Sequence, residues 1–146
     1  MVLRMDGDWH VGDDAADLDG FLREIGADGY PVDEVRRSVC CECGGGVFGV
    51  TGDPEEGTMR RECRGCGAEH FVAGSGEYWS DINTQIQVCV CEEEDFNIAV
   101  GFSLYSESVG GIRSLATAER CVACGKIGTF MSWMVRGGNM HPLDLA

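Results

Sequence analysis

The chain has 146 residues, with eleven basic side chains against twenty-five acidic ones and a net charge of −14 at neutral pH. Affinity for nucleic acid comes mainly from Lys and Arg neutralising phosphates, and here the few basic residues form no tract, so the charge weighs against DNA or RNA as a partner. The length allows one ordinary domain or two small ones, and a module of roughly 50 residues is marginal without a staple; the nine cysteines can supply one.

The first twenty residues, MVLRMDGDWHVGDDAADLDG, are acidic where a secretory signal is basic and lack its apolar core. No later run reaches a membrane-spanning length. The expectation is a cytoplasmic protein whose thiols stay reduced, so that paired cysteines read as metal ligands rather than disulfides.

Taken in order, residues 1–38 form an acidic leader. Its first twelve residues read as a short strand or a loose segment. Leu18, Phe21, Leu22 and Ile25 then recur at helical spacing, which predicts an amphipathic helix over 14–25, capped by Asp13 or Asp14 and stopped by Gly26. Such a helix is expected to cover a sheet face. YPVDEVRRSV, over 30–39, reads as a linker entering a strand, with a helical turn open at 32–36.

A first module is placed at 39–83. It runs from the glycine-rich turn CECGGG through a strand at 47–51, a GDPEEG turn and a returning strand at 58–62 to the second turn CRGCG, with another strand at 68–73. A second module, at 84–137, repeats this order after a strand at 84–90. Nineteen residues separate Cys43 from Cys63 and twenty-nine separate Cys91 from Cys121, so the second hairpin should have longer arms. IGTFMSWMV reads as a single apolar strand, and 138–146 as a flexible tail.

The two modules overlay. Cys41 falls on Cys89, Cys43 on Cys91, Phe48 on Phe96 and Val50 on Ile98, while Cys63 and Cys66 fall on Cys121 and Cys124. Two tight turns, each carrying two thiols, can close a tetrahedral sulfur shell, for which zinc is the commonest occupant and iron an alternative. The expected ligands are Cys41, Cys43, Cys63 and Cys66 on one zinc and Cys89, Cys91, Cys121 and Cys124 on a second, with crossed pairing between the modules left open. By this register Cys40 is surplus: an idle thiol, a substitute ligand across the C-x-x-C spacing to Cys43, or a reactive group. His70, four residues after Cys66, reads as a strand histidine with ligation open; His10 and His141 lack ligand-like neighbours.

CxCGG followed by VF and a CxxCG, repeated as CxC with a phenylalanine five residues on and a second CxxCG, after an acidic leader with a YPVD-like segment, resembles a family of small actinobacterial proteins with duplicated zinc-ribbon-like modules. That resemblance implies metal binding. The paired turns are more distantly similar to the β-tent zinc domains of methionine sulfoxide reductase B, Yippee and cereblon-type proteins, a likeness of fold that carries no function.

The expected fold is mainly β with one N-terminal helix, built from two tandem zinc-ribbon-like antiparallel modules. Closed Cys₄ shells imply structural zinc in an acidic interaction or regulatory protein without catalysis of its own, whose partner is another protein with a basic surface. The alternatives are a thiol oxidoreductase of the methionine sulfoxide reductase type using Cys40, a small-ligand binder using Trp9, Tyr78, Trp79 and Trp133, and a nucleic-acid binder.

Overall fold

The structure is a computed structural model that describes residues 4–40, 42–75, 84–105, 111–134 and 146. Strands β1 (Arg4–Asp6) and β2 (Trp9–Val11) form a hairpin turning at Gly7. They are followed by helix α1 (Asp17–Ile25), β3 (Glu34–Arg37), β4 (Phe48–Asp53) and β5 (Thr58–Cys63). Next come β6 (Glu69–Phe71), a 3₁₀ turn at Val72–Gly74 and β7 (Gln85–Ile86). The chain continues through β8 (Phe96–Leu104), β9 (Ile112–Cys121), β10 (Lys126–Gly128) and β11 (Ser132–Met134). The protein is therefore mainly β with one helix among the described residues. All its strands join one antiparallel sheet in the order β1-β2-β10-β9-β8-β4-β5-β6, with β11 on β9, β3 on β8 and β7 on β4.

Two hairpins dominate. In β4–β5 the closing pair at the open end is Phe48 opposite Cys63, and in β8–β9 it is Phe96 opposite Cys121, so both deliver a cysteine to the same register position. The arms of the second are longer, as the cysteine spacing predicts. The hairpins meet at one bridge, with Phe48 opposite Phe96. Corresponding residues facing each other across antiparallel strands place a local pseudo-two-fold axis between them.

The strands that lead into the modules cross that axis. β3, ahead of the first module, pairs with β8 of the second, with Arg37 opposite Ala99 and Arg36 opposite Val100. β7, at the start of the second module, pairs with β4 of the first, with Ile86 opposite Thr51 and Gln85 opposite Gly52. Two matching backbone bonds extend the exchange, Ser38 N–H to the Ile98 carbonyl at 2.8 Å and Gln87 N–H to the Val50 carbonyl at 2.9 Å. At 32–36, where the sequence leaves a turn open, the chain is strand from Glu34 onward, and of the strand expected over 84–90 only β7 forms.

The two faces of β8–β9 bury different things. One presents Ala99, Gly101, Ala116 and Ala118, small enough for α1 to lie close with Leu18, Phe21 and Leu22. A methyl group on Gly101 would stand 3.1 Å from Val32 and 3.2 Å from Leu22. Each large apolar side chain buried here contributes about 1.5–3 kcal/mol. The opposite face, with Ile98, Val100, Phe102 and Leu115, shares a core with Phe48, Val50 and Met59 of the other hairpin.

The helix begins at Asp17, later than the periodicity suggests. Asp17 is buried, and its carboxylate accepts the Asp13 and Asp14 N–H groups at 2.6 and 3.3 Å. The carboxylate thus satisfies the turn that leads into the helix, a use of Asp that competes with helical backbone bonding. Ile25, counted on the apolar face, is 41% exposed. Gly26 does end the helix, at φ 78°.

IGTFMSWMV is not one strand. β10 and β11 both pair with β9, but their registers differ by one residue, and Thr129 to Met131 bulge between them. The bulge is held from β9: the Thr117 hydroxyl accepts the Met131 N–H at 3.2 Å, and the Glu119 carboxyl accepts the Phe130 N–H.

Candidate metal centres

The base of each hairpin carries four thiols. Cys40, Cys43, Cys63 and Cys66 form one group and Cys89, Cys91, Cys121 and Cys124 the other, with all sulfurs of a group within 4.8 Å of one another. Corresponding pairs have matching distances. Cys43 to Cys63 is 3.5 Å and Cys40 to Cys66 is 3.6 Å; Cys91 to Cys121 is 3.5 Å and Cys89 to Cys124 is 3.6 Å. A disulfide needs about 2.05 Å, and all eight are free thiols. A tetrahedral site with Zn–S bonds near 2.3 Å has sulfur–sulfur edges of about 3.8 Å. The spacing fits such an ion.

The turns have the backbone that thiolate ligation requires. At the hairpin ends the Gly67 N–H donates to the Cys63 carbonyl at 2.8 Å and the Gly125 N–H to the Cys121 carbonyl at 2.9 Å, both glycines having φ 80°. In the leading turns the Gly44 N–H donates to the Cys40 carbonyl and the Glu92 N–H to that of Cys89, each residue at φ 76°. Glutamate in that conformation carries a steric cost that glycine avoids, on the order of 1 kcal/mol. The first centre is also cradled: a methyl group on Gly45 would come within 3.3 Å of the Cys43 sulfur, and one on Gly65 within 3.4 Å of the same atom.

The register of the repeat assigns the fourth thiol of the first centre to Cys41 and sets Cys40 apart. Cys41 lies outside the described residues. The sulfur that reaches the group is that of Cys40, and the matched φ of Gly44 and Glu92 shows why: the first turn is one residue longer than the second. The overlay is in phase from Cys43 and Cys91 into the first strand of each hairpin and slips by one before them. Grouping is within each module rather than crossed; what crosses is the leading strands.

Electrostatics differ between the thiols for local reasons. Backbone N–H groups of Cys43 and then Glu42 lower Cys40 to about 6, and the Glu93 N–H lowers Cys91 to about 7. Burial pushes Cys89 up to about 12. At neutral pH each group therefore mixes thiolates with thiols, and filling a shell with four thiolates releases protons.

Several residues around the centres carry no signal of their own in the sequence. Arg64, inside the C-x-x-C turn of the first centre, donates to Asp95 of the second module at 2.7 Å and to Glu62 at 2.9 Å. The Asn97 amide donates to the Gly46 carbonyl at 2.8 Å. Both contacts tie one module to the other.

The remaining candidates fall elsewhere. His70 lies in β6 and is not part of the thiol group. The His10 ring packs edge-on against Phe21, 3.5 Å from Glu24. Cys40, the thiol considered for redox chemistry, sits inside a four-thiol group. Of the aromatic residues considered for a ligand pocket, Trp9 is 39% exposed beside Gly128. Tyr78, Trp79 and the side chain of Trp133 lie outside the described residues, as does His141. A groove of about 460 Å³ does open between the start of α1 and β3, bordered by Asp19, Val35, Arg37 and Asn97; its described lining holds no aromatic residue. No helix among the described residues is long and apolar enough to cross a membrane. No protein-family model, no curated protein and no solved structure matches the chain.

Proposed function

We propose that the protein is a small acidic interaction or regulatory protein held together by two structural zinc ions. Each zinc sits in a closed Cys₄ shell at the base of a zinc-ribbon-like module, one at 39–83 and the other at 84–137. The observation that carries this reading is the pair of equivalent four-thiol groups. A four-sulfur shell leaves no position for water or substrate, so the metal contributes folding energy rather than chemistry. A native mass spectrum of protein purified without chelator, with elemental analysis, is expected to show two zinc ions per chain, lost together with the folded charge-state distribution on acidification. One ion, none, or disulfides in their place would overturn the reading; iron in place of zinc would change the metal alone.

The partner on this reading is a protein with a basic surface. Within the run from Glu92 to Asp95, Asp95 is engaged by Arg64, and Glu93 accepts the Glu94 and Asp95 N–H groups at 3.0 and 3.2 Å. Glu92 and Glu94 are exposed and form the part of the run turned to solvent. Association with an arginine-rich probe peptide, followed by fluorescence anisotropy, should weaken several-fold in the double variant Glu92→Lys, Glu94→Lys and should weaken with added salt. Equal binding by the variant would remove this surface from the proposal.

A further inference from the structure

We infer that the two metal centres load cooperatively, each ordering the other through the exchanged strands. This rests on the reading of both thiol groups as metal centres. The first centre needs Cys40, which the chain reaches directly from β3, and β3 is laid on β8 of the other module. The second needs Cys89, reached from β7, which is laid on β4 of the first. Each leading thiol thus follows a strand laid on the other module's hairpin, with Arg61 of β5 adding a local hold on the Val39 carbonyl at 3.1 Å.

The other links run the same way. The hairpin bases that carry Cys63 and Cys121 meet at the Phe48–Phe96 bridge. Arg64 and Asn97 tie the turns of the first centre to the second module. Buried Cys40, Cys63 and Cys121 belong to a single apolar core. An ion entering either shell therefore fixes groups that both shells require. The first binding event meets the ordering cost of the shared sheet, and the second ion finds its site assembled, which is positive cooperativity arising from folding.

The coupling expected of such a shared element is up to about 100-fold in affinity. For two equivalent independent sites at half saturation, half of the molecules carry one ion. With a coupling of about 100-fold that fraction falls to roughly one tenth. The experiment titrates the reduced, metal-free full-length chain with zinc from a buffered source and counts zero-, one- and two-ion species by native mass spectrometry. Expected is a distribution dominated by zero and two. A one-ion species near or above half would overturn the inference while leaving two structural sites intact, whereas uptake of no metal would overturn the metal reading and this inference together.

A variant that spares every ligand isolates the cause. Gln87→Pro removes the N–H that bonds to Val50 and loosens β7 from β4. It should raise the one-ion fraction several-fold while two ions still bind at excess zinc. An unchanged distribution would overturn the route through the strands. If Gln87→Pro does not fold at excess zinc, Ile86→Gly, at a position of β7 that is 60% exposed, weakens the same strand without touching the core; a smaller rise is expected, and its failure to raise the one-ion fraction counts equally against that route.

Discussion

Cys63→Ser is expected to abolish the fold of the first module, and a strong chelator should do the same to the wild-type protein. A structural zinc in a small module contributes an apparent 10–16 kcal/mol, while a domain of this size has a net stability of about 5–15 kcal/mol. Serine does not ionise in the range where thiolates form, so the shell loses a charged ligand outright. Cys63 is also 1% exposed and faces Phe48 at the base of the hairpin, so the substitution places a hydroxyl in the core as well. Cys43→Ser removes a ligand from an exposed position and should cost somewhat less. The checks are zinc content and thermal unfolding by circular dichroism, with losses of tens of degrees expected for Cys63→Ser. A variant that melts within a few degrees of wild type, in a protein indifferent to chelator, would show that the thiols do not hold a structural metal.

Much of the site can be read from the chain because cysteine spacing is a strong local constraint. Two thiols one or two residues apart must share a turn, and the distance from Cys43 to Cys63 against that from Cys91 to Cys121 sets the relative hairpin lengths. The choice between Cys40 and Cys41 turns on a single residue. The 48-residue register that aligns Cys43 with Cys91 and Phe48 with Phe96 holds along the first strand of each hairpin, before the longer second hairpin shifts the offset for Cys63 and Cys66, and extending it backward by two residues selects Cys41. A tight turn can absorb one extra residue without moving its ends, and the first turn does so. The C-x-x-C spacing from Cys40 to Cys43 is the signal that points to the sulfur observed.

The exchange of β3 and β7 leaves no comparable trace. These strands have four and two residues, too few for an alternating pattern, and their partners are set by the meeting of Phe48 and Phe96, a contact between distant parts of the chain. The same limit applies to IGTFMSWMV. Its largely apolar sequence carries no mark of a break, and the bulge follows from what β9 offers opposite it, the side chains of Thr117 and Glu119. The helix was legible in its buried face of Leu18, Phe21 and Leu22, and its start was not, because Asp17 is taken up as an acceptor for the preceding turn.

Glu119→Gln is expected to stabilise the protein above neutral pH and to change little in mild acid. Glu119 is 1% exposed in the middle of β9. Burial raises its carboxyl to about 8 from an ordinary 4.5, against the smaller opposing pull of the Thr117 hydroxyl and the Phe130 N–H. One oxygen accepts from Thr117 at 3.2 Å, and Oε2 has no hydrogen-bond partner among the described residues. The folded protein therefore keeps a proton at neutral pH that the unfolded chain releases. Between about pH 4.5 and 8 the native state binds more protons than the unfolded state, so this group's contribution is fully present in mild acid and declines as pH rises, levelling off above 8. At about 1.4 kcal/mol per unit, the loss by pH 8 is on the order of a few kcal/mol. Glutamine keeps an acceptor for the bulge and removes the ionisation. Denaturant unfolding at saturating zinc, with wild type and variant compared at each pH so that the metal's own pH dependence cancels, should give equal stabilities near pH 5 and a variant more stable by a few kcal/mol near pH 8. A difference that does not grow with pH would mean that Glu119 is not the group that titrates. A variant less stable at every pH would mean that the carboxyl holds the bulge between β10 and β11 in a way the amide cannot.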